Sequence, residues 1–463
     1  MFANITALPT LDTLSLPDLA LQELNIHLRG QLIRRGDADY DQARQLWNGA
    51  VDKRPALIVR SQTAQDVALA VTFARNHNLP VSVRAGGHNA AGLALVDDGL
   101  VIDLSRMKRI QIDPARRVAR AEPGLTIGEF TRALEPYGLL TPTGTCSGTG
   151  IGGMTLGGGI GWLTGRFGLA VDNVLSFEVV TAEGRLLKAS AEENADLFWG
   201  LRGGGGNFGV VTAIEYQLHP MGQVLGGTIL YPLSLDVLRA YFDFTSAAPD
   251  EVIAYAALAT IPNAGPAVAI TVCYSGDDLA AGEQALAPLR QFGSPIVDMI
   301  RPMNYTELIT SLDPTAPDGR HYADTAYSLK QPGDDALKAM LACAEQKSSP
   351  FSVIVIHHIN GAGTRVAPDA TAFALREPHY SIVNAAAWEE GPAEPHLAWA
   401  QESLARMQPF ASQGLYVNFM GQEGEAAIRE AYRANYERLV ALKRKYDPTN
   451  FFRMNQNIKP GGK

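Results

Sequence analysis

Eleven of the 25 residues from Gly144 to Gly168, GTCSGTGIGGMTLGGGIGWLTGRFG, are glycine. Glycine at this density permits positive φ and lets backbone amides approach a ligand closely, as a diphosphate cradle requires. A flexible linker is the bland alternative. Ile151, Met154, Leu156, Ile160 and Trp162 interleave with the glycines as packed residues do, which argues against it. Gly148, Gly150 and Gly153 also satisfy G-x-G-x-x-G, with Asp172 near the spacing of a Rossmann acid. A Rossmann fingerprint must open a helix directly. Gly157, Gly158, Gly159 and Gly161 would break one at roughly 1 kcal/mol each, so a nicotinamide-binding domain is disfavoured.

Two more glycine loops flank this tract. RAGGHNAAG (84–92) places His88 directly after Gly86 and Gly87 at the end of a strand-like run, and LFWGLRGGGGNFGVVTAIEYQL (197–218) runs from glycines into a strand. Between 50 and 220, short β-rich runs alternate with helices. Ser61 or Thr63 can cap a helix carrying Val67, Ala70, Val71 and Ala74, and a second helix over 126–137 ends near Gly138. From 221 to 410 the glycine loops thin out. Strand-like runs at 226–233, 252–261, 267–274 and 352–359 are separated by helical stretches at 235–246, 278–292 and 334–346, the order of an α+β unit with a largely antiparallel sheet. GLYVNFM (414–420) reads as a strand, and a long helix over 424–445 stops at Tyr446-Asp447-Pro448.

Net charge of -9 over 463 residues, without a basic run, argues against a nucleic-acid or anionic-membrane partner. The N-terminal segment lacks a basic start and is interrupted by Pro9 and Pro17, so it reads as neither leader nor membrane helix. No apolar run reaches the roughly 18 residues that span a bilayer, and cytoplasmic residence is the default expectation. Three cysteines give no disulfide framework and no zinc set; Cys273 and Cys343 read as core residues. His357-His358 lacks a carboxylate at ligand spacing and reads as half core, half surface, so no metal is expected.

RAGGHN, GTCSGTGIGG with GGGIGWLTGRFGLAVDN, and LFWGLRGGGGNFGVVT together resemble the FAD-binding domain of the vanillyl-alcohol oxidase/p-cresol methylhydroxylase superfamily. YVNF (416–419) and YDPTNFFRMNQNI (446–458) are similar to the C-terminal signature of its berberine-bridge-enzyme-like branch, which includes glucooligosaccharide and 6-hydroxynicotine oxidases. The resemblance implies a two-domain FAD-linked oxidase fold of α+β class. An FAD-binding domain over 1–220 (core about 50–220) would be completed by 411–463, with a substrate domain over 221–410.

It also implies roles. His88 would be bonded to the flavin 8α-methyl group, and Cys146 stands where bicovalent members carry a second bond; other members lack that cysteine, so a core thiol stays open. Arg84, Gly86, Gly87, Asn89, Gly148, Thr149, Gly152, Gly153, Gly161, Val211, Asn418 and Asn455 are the remaining candidate FAD contacts. Tyr416 matches the family's active-site tyrosine, with Asn418 on the same face if 414–420 is a strand. Arg376, His379 and Tyr380 fall where relatives face the substrate, although Ala374-Leu375 replaces a frequent Pro-His pair. Thr155 is the candidate oxygen gate. The implied reaction moves hydride from a C–H of a small-molecule alcohol, hemiacetal or amine to the flavin, with dioxygen as acceptor and hydrogen peroxide as product. A dehydrogenase with another acceptor, or a flavin-binding protein without catalysis, are the alternatives.

Overall fold

The computed structural model describes residues 16–412, 414–421 and 423–461. Residues 1–15, which begin the segment read as neither leader nor membrane helix, lie outside them. Among the described residues no helix is long and apolar enough to cross a membrane.

Thr63 caps the helix Ala64–Asn76 through a reciprocal pair of bonds with Asp66, and the helix buries Val67, Ala70, Val71 and Ala74 at the spacing visible in the sequence. It packs on a four-stranded sheet ordered Gln31–Arg34, Leu57–Arg60, Leu100–Asp103, Val81–Arg84. The last three strands are parallel, so Val81–Arg84 delivers the His88 loop from its carboxyl end. A five-stranded antiparallel sheet follows, ordered Ile110–Asp113, Val118–Ala121, Val210–Gln217, Val174–Val180, Leu186–Ser190. The glycine-dense tract is inserted between its strands. Contrary to the sequence argument, that tract does open a helix, Ile151–Gly157, but Gly158 at φ +139° ends it after seven residues.

An eight-stranded antiparallel sheet spans Val224 to Trp388. The four runs read as strands are all in it. Two more strands, His321–Leu329 and His379–Trp388, have alanine-rich sequences with weak β signals. One face of this sheet is covered by the helices Leu235–Ser246, Asp334–Glu345 and Glu394–Met407. The other face gives Ile253, Tyr255, Cys273 and Ile359 to the core shared with the glycine tract.

Two C-terminal expectations are corrected. GLYVNFM is not a strand: Val417–Phe419 is a single 3-10 turn. The helix over 424–445 is two, Glu425–Tyr432 and Tyr436–Tyr446, divided where Arg433 adopts φ +48°. The second helix buries an ion pair. Lys443 Nζ donates to Asp447 Oδ2 (2.7 Å), Asn207 O (2.8 Å) and Phe452 O (2.8 Å), which ties the chain end to the third glycine loop.

Candidate active site

The first two glycine loops touch. Gly86 and Gly150 lie so close that a Cβ on either would collide with the other's backbone, while Gly148 and Gly153 have open space where a Cβ would stand. Only glycine allows this apposition, and it brings the His88 loop against the Cys146 loop. The segment after Leu312 closes over both. Ser147 donates to Asp313 from its hydroxyl at 2.6 Å and from its amide at 3.2 Å. Trp47 stacks on His88 (ring centroids 4.1 Å apart) and on Tyr322 (3.9 Å), and its indole N–H donates to Ala316 O. Burial pushes the His88 imidazole below its usual range, which keeps a nitrogen lone pair free. Burial pushes the Cys146 thiol up, against a hydrogen bond with Thr145 at 3.6 Å; the negative charge of Asp313 adds to the rise.

Tyr416 is buried at the end of the glycine helix. Its hydroxyl oxygen accepts from the Gly159 amide at 2.9 Å and from Asn418 Nδ2 at 2.8 Å, and the same Asn418 nitrogen donates to Met154 O. Burial raises the phenol to about 12 while these donors pull it down. The turn achieves what strand alternation was expected to achieve: Tyr416 and Asn418 converge.

Other candidates are placed elsewhere. Thr155 is enclosed, with its hydroxyl 2.8 Å from Tyr216 OH in the core, so it is not the residue that lines an open path. Tyr380 points into the helix-covered core and meets Thr245 Oγ1 at 2.8 Å; Tyr380 does not face the glycine tract. Arg376 is not substrate-facing either. It clamps Asp172 with two bonds (2.7 and 2.8 Å) and so fixes the end of the glycine tract. His379 is bonded to Glu377 O and Ser381 Oγ. Gly161 is tied to Thr164 and Tyr255, and Val211 is buried in its strand, so both act through packing.

Three residues escaped the sequence reading. Trp47 and Tyr322 carried no motif. His357, read as half core, half surface, is buried on the sheet face opposite His358, beside Tyr255 (4.9 Å) and Phe419 (4.7 Å), and burial lowers it to about 4. Strand alternation between His357 and His358 was the available signal.

The residues present fit FAD. Glycines 148 and 153 leave a cradle that side chains would fill. Asn455 donates to Gly206 O and Phe452 O but keeps a buried Oδ1 without a partner among the described residues, an acceptor suited to the N–H of a flavin pyrimidine. Arg84 donates to Ala43 O and leaves its buried Nε unpartnered among the described residues. Asn89 holds its loop by accepting from Leu93 N, Thr149 by accepting at its carbonyl from Ile127 N, and Gly87 and Gly152 pack against Leu46 and Pro123.

Comparison with known proteins agrees with this geometry. A model of an FAD-binding domain matches residues 55–190, and a model described as berberine and berberine-like matches 415–459. An FAD-linked oxidoreductase of Dictyostelium discoideum is 32% identical, over 94% of this chain and 95% of that protein. The (R)-6-hydroxynicotine oxidase of Paenarthrobacter nicotinovorans is 31% identical over 94% of this chain and 98% of its own. A crystal structure of 6-hydroxy-D-nicotine oxidase from Arthrobacter nicotinovorans superposes with a TM-score of 0.86 at 30% identity, covering 94% of this chain and 98% of that one. The chain belongs to the berberine-bridge-enzyme-like family of FAD-linked oxidoreductases.

Proposed function

We propose that this protein is an oxidase whose FAD is covalently held by His88 and Cys146 and whose substrate is a small molecule with an oxidisable C–H next to oxygen or nitrogen. Residues 1–220 and 411–463 would form the FAD domain, and 221–410 the substrate domain. The observation that carries the reading is the Tyr416 hydroxyl, held by the Gly159 amide and Asn418 at the end of the glycine tract.

When bound, the flavin supplies a two-electron sink for substrate hydride and passes the electrons to dioxygen, yielding hydrogen peroxide. Gly148, Gly152 and Gly153 would admit the diphosphate, and Asn455 the pyrimidine edge. Tyr416 takes the substrate proton. The two donors on its oxygen stabilise the phenolate that does so, as fixed dipoles do wherever charge develops. His357, neutral at physiological pH with Nδ1 engaged by Ser381 O, leaves Nε2 to accept a substrate hydrogen bond.

The purified protein is tested by mixing it anaerobically with alcohols, aldoses and amines, then admitting air. Flavin bleaching followed by rapid recovery and one peroxide per turnover supports the oxidase. Bleaching that persists for minutes in air makes it a dehydrogenase, and no bleaching with any class sinks the reading.

A further inference from the structure

Asp324 has a buried Oδ1 with no hydrogen-bond partner among the described residues. It lies in the strand His321–Leu329. Thr325 donates to Ala400 O on the helix Glu394–Met407, and Tyr327 packs into the helix-covered core. Alternation therefore turns Asp324, Tyr322 and Ala326 to the opposite face. That is the face on which Tyr322 stacks on Trp47, next to His88. Ser328 reaches from the same face to Gly414 O, so the Tyr416 turn passes over it.

The neighbours of Asp324 across the sheet are apolar. Ala385 pairs with it and Val353 lies beyond; in the next row Val383, Val355 and Ala257 follow Ala326. Among the described residues no cation offsets the carboxyl, and burial alone lifts it to about 7. An unpaired carboxylate in such surroundings is expensive to bury, and a cation brought by a ligand would offset that cost.

We propose that Asp324 anchors a protonated amine of the substrate. The inference rests on reading this cleft as the oxidising site and narrows the substrate class within it. The carboxylate accepts a charge-assisted hydrogen bond from the ammonium, and the alanine and valine rows hold the apolar part. A neutral alcohol of the same shape offers only an uncharged donor and gains far less.

The test uses FAD-loaded protein in calorimetric titrations with two matched pairs, 2-phenylethylamine against 2-phenylethanol and tyramine against tyrosol. In the wild type at least one amine should bind about 10- to 100-fold tighter than its alcohol, the worth of a hydrogen bond to a charged group. Asp324→Asn should abolish that difference by weakening amine binding, change alcohol binding far less, and melt no lower than wild type, because a carboxylate with a buried, unpartnered oxygen is removed. If that variant does not fold, Asp324→Ser gives the same comparison. Equal affinities in the wild type, absence of amine binding, or an amine preference that survives the substitution each overturn the proposal. Oxidation of a neutral alcohol that depends on Tyr416, without amine preference, would overturn it and leave the proposed oxidase standing.

Discussion

Asp313 and Ser147 meet across a sequence separation of 166 residues, and the carboxylate accepts both the hydroxyl and the amide of the serine. Since Ser147 follows Cys146, this contact anchors the backbone that carries the thiol. Asp313→Ala should free the loop and lower the yield of flavin-linked Cys146 peptide several-fold, with the His88 link retained. Peptide mass spectrometry reads both yields. An unchanged Cys146 yield would show that the glycine backbone alone positions the thiol.

Covalent attachment itself has a direct readout. Acid-precipitated protein should stay yellow, and its intact mass should exceed the chain mass by one FAD. Cys146→Ala should keep the tether through His88 and alter the visible spectrum. Release of all flavin into the supernatant would remove the tethers, and an unaltered spectrum would leave Cys146 a core thiol.

Tyr416→Phe removes one hydroxyl and should fold with its flavin, while anaerobic flavin reduction slows by roughly 10²–10⁴-fold. The raised phenol adds a pH signature. A base that titrates at about 12 is mostly protonated at neutral pH. Reduction should therefore quicken about tenfold per pH unit on the alkaline side until another step limits it. A flat profile between neutral and mildly alkaline pH would pass the role to another group, and His357 is the first to test.

Acid stability should report the buried histidines. Burial lowers His357 and His358 from 6.5 to about 4. Between those values the unfolded chain binds protons that the folded one refuses, so stability is present above about 6.5 and is lost as pH falls toward 4. His358→Gln should flatten that slope, read as melting temperature against pH. An unchanged slope would place the acid sensitivity elsewhere.

The glycine loops were legible because the backbone they demand is open to almost no other residue. Thr63 and the helix it caps were legible for a similar reason, since cap and periodicity are both local. Tyr416 was correctly paired with Asn418 for an incorrect local reason. A short run such as YVNF fits a strand or a 3-10 turn equally, and only tertiary contacts with Met154 and Gly159 decide. Counting along a chain gives Thr155 a position and not a direction, and its hydroxyl turns to Tyr216. Strand parity turns Tyr380 into the helix-covered core. Trp47 and Asp324 acquire meaning only from what the fold sets beside them.

The third glycine loop closes late. Asn207 finds Gln456 and Ile458, partners 249 and 251 positions further on, and Lys443 from 236 positions away. A ribosome adding about 5–20 residues per second needs on the order of ten seconds or more to make that stretch. The nascent chain therefore holds an unclosed glycine loop until residues 443–458 have been made. Cofactor capture that needs this loop would follow the making of those residues, and loss of the helix Tyr436–Tyr446 would stall it.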